Sequence, residues 1–142
     1  MKEYTPYEFI EDTKKIVKLV KEYNPEVILP IARGGLCFGH LLSEELDIRD
    51  VFCINSIGYD KDKKLDNIKV FNIPTLENKR VLVVDDIADS GETLKEVLKV
   101  LKEKNPTCEF KTATLFYKKS SIIQPDFTIH EAKEWINYFW NA

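Results

Sequence analysis

The chain has 142 residues, 44% of them hydrophobic and 32% charged, and a formal net charge of −3. That length fits one domain with a substantial core, and the acidic balance excludes a broad nucleic-acid-binding face, leaving a local basic pocket and small-molecule partners. Cys37, Cys53 and Cys108 are odd in number and far apart, with only His40 and His130 to join them, so zinc and a disulfide framework are poorly supported and buried or inert thiols in a reducing compartment are expected.

The opening Met-Lys-Glu-Tyr-Thr-Pro-Tyr-Glu has no signal-peptide core, and no apolar run is long enough to span a bilayer. A cytoplasmic protein is expected. Thr5 and Pro6 mark a cap and first helical position, and Phe9, Ile16, Val17 and Val20 form the apolar stripe of a helix that ends at Tyr23-Asn24-Pro25. Val27 to Ile31 reads as a buried strand. It runs into Ala32-Arg33-Gly34-Gly35, where glycines permit close approach to a ligand and Arg33 offers a fork of donors for phosphate oxygens. On its own this is equally an ordinary tight turn. An apolar helix follows from about Leu36 to Leu46, on which His40, flanked by Leu36, Cys37, Phe38, Leu41 and Leu42, reads as a packed histidine.

Asp47 to Asp50 reads as a turn, Val51 to Ile57 as a strand, Ser56 to Asp66 as a polar loop, and Ile68 to Ile73 as the returning strand. Lys61 to Lys64 are expected to be solvated. Pro74 to Asn78 then leads into Val81 to Val84, an unbroken β-branched and apolar run of the kind covered on both faces in a parallel sheet. This strand is expected to end at Asp85 and Asp86. Asp89-Ser90-Gly91-Glu92-Thr93 opens a helix with Leu94, Val97, Leu98 and Leu101 on its apolar side.

The order strand, acidic pair, small polar turn, helix can hold a phosphorylated sugar. Unpartnered amides and the dipole at a helix start bind an anion, Gly91 lets the backbone come close, and Ser90 and Thr93 add hydroxyls. The carboxylates suit sugar hydroxyls and hydrated Mg²⁺. Ser90 as a plain N-cap, or a strand-end acidic pair of the receiver type, are the bland alternatives. A cap alone does not explain three aspartates within five positions, which repel one another unless a cation, donor or sugar compensates.

Beyond the helix, Phe110 to Tyr117 reads as a strand ending at Lys118-Lys119, where open α/β sheets bind ligands, although solvated strand-end lysines are common. The stretch from Gln124 to Trp140 is dense in aromatics, which at a chain end most often serve packing. No internal repeat, low-complexity run or linker is present.

Val-Leu-Val-Val-Asp-Asp-Ile-Ala-Asp-Ser-Gly-Glu-Thr, residues 81–93, resembles the phosphoribosyl pyrophosphate motif of type I phosphoribosyltransferases, with Ser90 in place of the usual Thr. The likeness runs from Ala32 to Trp140 and is nearest to xanthine-guanine phosphoribosyltransferases, through Pro125-Asp126-Phe127, Trp135-Ile136 and Trp140. Phe127 stands where that family has tyrosine, and the chain stops at Ala142 without the family's longer tail, so tail-borne contacts are not expected. The resemblance implies an α/β fold, a mostly parallel twisted sheet flanked by helices, as one domain over residues 1–142 with a small hood at about 124–142. It implies transfer of 5-phosphoribosyl from phosphoribosyl pyrophosphate to N9 of xanthine, guanine or hypoxanthine, with Mg²⁺, in a homodimer or homotetramer.

Residue by residue, it assigns Arg33, Gly34 and Gly35 to the pyrophosphate, with the Ala32–Arg33 peptide a candidate for a strained cis bond. Asp85 and Asp86 take the ribose hydroxyls and the metal, and Ile87, Ala88, Asp89, Ser90, Gly91, Glu92 and Thr93 form the phosphoribosyl pyrophosphate-binding turn. Asp89 also faces N7 of the base as the catalytic residue. Lys118, with Lys119 in reserve, reads O6. Trp135 stacks on the ring and Ile136 meets its edge. A mobile loop is expected near 57–66, where Ser56 and Tyr59 match the family only approximately. Other classes compatible with the motif are a pyrimidine or adenine phosphoribosyltransferase and a non-catalytic regulator that senses phosphoribosyl pyrophosphate; the latter would be expected to carry a basic surface for nucleic acid, which this acidic chain lacks.

Overall fold

The computed structural model describes residues 1–58 and 68–141. Tyr59, Lys61 to Lys64 and most of the expected loop lie outside the described residues. In chain order the elements are β1 (Lys2–Tyr4), α1 (Pro6–Val20), β2 (Val27–Ala32), α2 (Leu36–Leu46), β3 (Ile54–Gly58), β4 (Ile68–Phe71), β5 (Arg80–Ala88), α3 (Glu92–Lys104), β6 (Glu109–Tyr117), β7 (His130–Glu131) and β8 (Ile136–Tyr138), then a 3₁₀ turn at Phe139–Asn141. The main sheet has the order β4-β3-β2-β5-β6-β7. Only the β3–β4 pair among these is antiparallel.

Alternation along the central strands sorts side chains onto two faces. Ile28, Leu82, Val84, Ala113 and Leu115 meet Phe9, Ile16 and Val20 of α1 and Phe38 and Leu42 of α2 on one face. Val27, Leu29, Ile31, Val81 and Val83 meet Leu94, Val97 and Leu101 of α3 on the other. Burial on both faces is why β2 and β5 carry unbroken apolar runs. The chain leaves β2 toward β3 and leaves β5 toward β6, so neighbouring strands β2 and β5 flank the point where the winding reverses. In open parallel sheets the crevice beyond the strand ends at such a point is where ligands bind.

α1 starts as its sequence requires. Thr5 accepts from the Glu8 amide at 3.2 Å, and Glu8 accepts from the Thr5 amide at 2.9 Å. Lys2 also binds Glu8, at 2.7 Å, and with the Thr5 amide it holds the Glu8 carboxyl down at about 2.

Four expectations need correction. β5 does not end at the acidic pair: β6 keeps pairing with it, Asp85 opposite Thr114 and Ala88 opposite Tyr117, after its pairing with β2 has ended at Pro30 opposite Val84. The 51–57 strand begins at Ile54, because Val51 makes only an isolated bridge to Ile28. His40 is exposed rather than packed, since α2 turns Phe38 and Leu42 inward and the residue two beyond Phe38 falls on the opposite side. The thiols are all free, but Cys53 is exposed and Cys37 and Cys108 are only partly covered.

A second, two-stranded parallel sheet joins β1 to β8, with Tyr4 beside Tyr138. No propensity signal marked residues 2–4 as a strand; the pairing with β8 defines it. Tyr4 Oη donates to buried Asp12 at 2.7 Å, and His130 Nε2 lies 2.8 Å from the same Asp12 oxygen. One carboxylate thus ties β1, α1 and β7 together.

Candidate active site

Where the pairing of β2 with β5 ends and β5 runs on, the Asp86 side chain lies against the loop after β2. That loop carries a cis peptide at Ala32–Arg33, in agreement with expectation. A β-carbon on Gly34 would stand 2.7 Å from Asp86 Oδ2, so glycine lets the loop backbone lie against the carboxylate. Gly35 is pressed on the Val84 carbonyl of β5, a packing reason for the second glycine.

Asp85 and Asp86 are half-buried side by side, and the Asp86 amide donates to Asp85 Oδ1 at 2.9 Å. Burial, then the charge of Asp86, pushes the Asp85 carboxyl well above the usual carboxylate range. Burial raises Asp86 too, against hydrogen bonds that pull it down. Neither has a salt-bridge partner among the described residues. Two desolvated carboxylates without a cation form a site that favours an incoming positive charge or hydroxyl donor.

The turn that follows wraps a cavity of about 200 Å³ lined by Asp85 through Gly91, with Thr93 and Leu94. The cap of α3 is Gly91 at φ 86°, not Ser90, and the helix begins at Glu92 rather than Asp89. Ser90 Oγ accepts from the Glu92 amide at 3.3 Å. A β-carbon on Gly91 would meet Ser121 Oγ at 2.5 Å, so conformation and space both demand glycine. The turn is braced from outside: Lys118 N donates to the Ala88 carbonyl and Ile122 N to that of Ser90, each at 2.9 Å. Ser121 and Gln124 fix the bracing segment, Ser121 Oγ on the Ile123 carbonyl at 2.7 Å and Gln124 Nε2 on the Ser121 carbonyl at 3.0 Å. Sequence reading missed both, for nothing local says that residues 118–124 fold back on 88–91.

A second cavity, about 430 Å³, adjoins the first and shares Asp86, Ile87 and Asp89 with it. Lys118, Trp135, Ile136 and Tyr138 are among its other walls. Lys118 Nζ reaches Asp89 Oδ1 at 2.7 Å across it, whereas Lys119 turns to Glu131 at 3.8 Å. Lys118, not the reserve, therefore faces the cavity. Trp135 is 74% exposed at the rim, an expense for an indole unless something covers it, and Ile136 is buried beneath. Of the expected hood, Ala132 to Ile136, Tyr138 and Asn141 line the cavity. Pro125-Asp126-Phe127 packs elsewhere: Asp126 Oδ2 accepts from the Thr112 amide at 2.8 Å and Phe127 bridges Ala113, clasping this segment to β6. A wider opening of about 770 Å³ is bordered by Arg33, Gly34, Leu36, Cys37, Trp140 and Asn141, the last of which it shares with the Lys118 cavity. Of the site residues read from sequence, all but Gly35 and Glu92 line one of these cavities; Tyr138 and Asn141 were not among those read, though Tyr138 lay within the aromatic run.

A strand-to-helix turn around a small cavity, an acidic couple without a basic partner and a second cavity walled by Lys118 and Trp135 make a crevice suited to a nucleotide-like ligand. Residues 6–142 match the phosphoribosyl transferase domain model, and the chain belongs to that family. Among curated proteins, the xanthine-guanine phosphoribosyltransferase of Idiomarina loihiensis is 33% identical over 118 residues, covering 80% of this chain and 70% of that one. Among solved structures, the Helicobacter pylori xanthine-guanine-hypoxanthine phosphoribosyltransferase is 38% identical with a TM-score of 0.87, over 98% of this chain and 90% of that one. The purine phosphoribosyltransferase of Pyrococcus horikoshii is 30% identical with a TM-score of 0.88, over 98% and 92%. Among the described residues no helix is long and apolar enough to cross a membrane.

Proposed function

We propose that this phosphoribosyltransferase serves purine salvage, moving the 5-phosphoribosyl group of phosphoribosyl pyrophosphate to N9 of a 6-oxopurine. The C1′–oxygen bond to pyrophosphate breaks, the lone pair of N9 forms the C1′–N9 bond, and the base gives up its N7 proton to the Asp89 carboxylate. The observation that carries this reading is the Asp89–Lys118 pair, 2.7 Å apart between the anion-sized turn and the Trp135 rim. A carboxylate and an ammonium held together in a ring-sized slot match the N7–H donor and O6 acceptor that lie side by side on a 6-oxopurine. The relatives named above support the purine assignment.

In this reading the amides of the turn and the hydroxyls of Ser90 and Thr93 hold the 5-phosphate at the start of α3. Asp85 and Asp86 accept from ribose hydroxyls, Arg33 with the Gly34 and Gly35 amides binds the pyrophosphate, and Trp135 covers the base. Asp89 assists proton movement at N7. Positioning these groups in a water-poor crevice supplies most of the rate, because charge grows on both the sugar and the leaving group as the bond breaks.

Among the described residues no cluster of three or more metal-ligating side chains is present, so an all-protein metal cage is not available. Mg²⁺ does not need one: it binds through one or two carboxylates, water and substrate phosphates. The desolvated, cation-less Asp85 and Asp86 fit that donor set. Bound there, Mg²⁺ would neutralise the pyrophosphate. A cytoplasmic setting and a homodimer or homotetramer complete the proposal.

The test is steady-state turnover with phosphoribosyl pyrophosphate and Mg²⁺ over a panel of xanthine, guanine, hypoxanthine, adenine and orotate. Turnover confined to the first three is the expected result. Preference for adenine or orotate would overturn the base assignment, and binding of phosphoribosyl pyrophosphate without turnover of any base would make the chain a sensor.

A further inference from the structure

Tyr138 has a ring with many partners and a hydroxyl with none. The side chain is 6% exposed, stacks on Trp140 at 4.7 Å between centroids and meets Tyr4 and Phe116 edge to face at 5.8 and 5.9 Å. A phenylalanine would make the same contacts. Yet Oη is the one buried side-chain polar atom among the described residues without a hydrogen-bond partner. A desolvated hydroxyl left unpaired is costly, and folded chains rarely keep one without use.

Its place says what the use is. Tyr138 lines the slot that holds Lys118, Asp89 and Trp135, and is absent from the walls of the phosphate-sized cavity. Burial pushes the phenol well above its ordinary range, and Asp86, Asp85 and Asp89, in that order, push it further, so the oxygen keeps its proton and acts as a donor.

Resting on the purine-transfer reading above, we infer that Tyr138 is a further purine-binding residue, whose Oη–H donates to N3 of the bound base. In the assigned pose O6 faces Lys118, N7 faces Asp89 and N9 is the reacting atom. N1–H and the 2-amino group of guanine are donors. N3 is the acceptor that remains, and it lies beside N9, on the side where the acidic pair holds the sugar. Because Oη is closed from bulk water in the free chain, the bond forms as the slot wall seats around the ring. The donor is already stripped of water, so an acceptor gains most of the bond.

The experiment compares guanine with 3-deazaguanine, in which C–H replaces N3, on the wild type and on Tyr138→Phe, at saturating phosphoribosyl pyrophosphate and Mg²⁺. The wild type is expected to favour guanine by about tenfold in kcat/KM, the size of one such hydrogen bond. Tyr138→Phe should lose about that factor on guanine, lose the preference between the two bases, and melt at or above the wild-type temperature. A wild type that does not discriminate overturns the inference without any variant. So does a variant that keeps the wild-type ratio, and one that melts lower with its ratio unchanged shows that the hydroxyl serves packing. A wild type that turns over no 6-oxopurine at all instead overturns the reading beneath.

Discussion

Residues 85–93 form the proposed phosphate side of the crevice from one continuous strand, turn and helix, whereas the proposed ring slot gathers Lys118 from the end of β6 and Trp135, Ile136 and Tyr138 from around β8. The first is rigid because the sheet buries its strand and a folded-back segment braces its turn. The second is anchored where β1, itself tied to α1 by Asp12, pairs with β8. A site half made by local sequence and half by tertiary docking should lose its two functions separately when either half is damaged.

Asp89 belongs to both halves, and its loss should be the most damaging. Asp89→Asn is expected to lower turnover about 10²–10⁴-fold while leaving melting temperature and phosphoribosyl pyrophosphate affinity near wild type, because general acid-base contributions are of that size and this side chain is exposed. Turnover within a few-fold of wild type would remove its base-facing role. Gly91→Ala attacks the phosphate half alone. Forcing a β-carbon at φ 86° against Ser121 should cost about 1–3 kcal/mol of stability and weaken phosphoribosyl pyrophosphate binding more than base binding, read by thermal melts and calorimetry. An unchanged melt would mean that the turn relaxes.

Lys118→Ala attacks the other half. It should raise the KM for the base about tenfold, as expected for one lost charge-assisted hydrogen bond, with the KM for phosphoribosyl pyrophosphate unmoved. Lys119→Ala should change neither, since that side chain turns toward Glu131. Equal effects of the two would erase the distinction drawn here.

The smallest effect is on stability against pH. The Asp85 carboxyl holds its proton more tightly folded than unfolded, so the folded state binds more protons between the ordinary carboxylate range and its raised value. Stability therefore falls as pH rises through that window. Asp85→Asn removes the fall: its melting temperature should exceed the wild type's by a few degrees, about 2–4 °C per kcal/mol for a chain of this size, above the window and converge with it below. Mg²⁺ with phosphoribosyl pyrophosphate should raise the melting temperature of the wild type more than that of the variant.

The same division explains what could be read in advance. The run Val81 to Val84 and the turn after it declare strand, anion cradle and helix through contiguous residues, and the Thr5 cap and α2 boundaries are equally local. What escaped depends on distant partners. The continuation of β5 through Asp85 is set by pairing with Thr114, the burial of Asp12 by Tyr4 and His130, and the seating of the phosphate turn by Ser121 and Gln124. Even the slip on His40 is of this kind, since hydrophobic neighbours in sequence do not say which side of a helix meets the sheet.

The pairing of β1 with β8 also bears on how the molecule comes into being. Glu3 binds Asn137 across a sequence separation of 134 residues, so β1 gains its strand partner only after almost all of the intervening chain is in place. The layers around β2, β5 and β6 rest on shorter connections, while the wall built on β8 is completed only when β1 and β8 meet, a long loop closure that makes it the natural late step of folding.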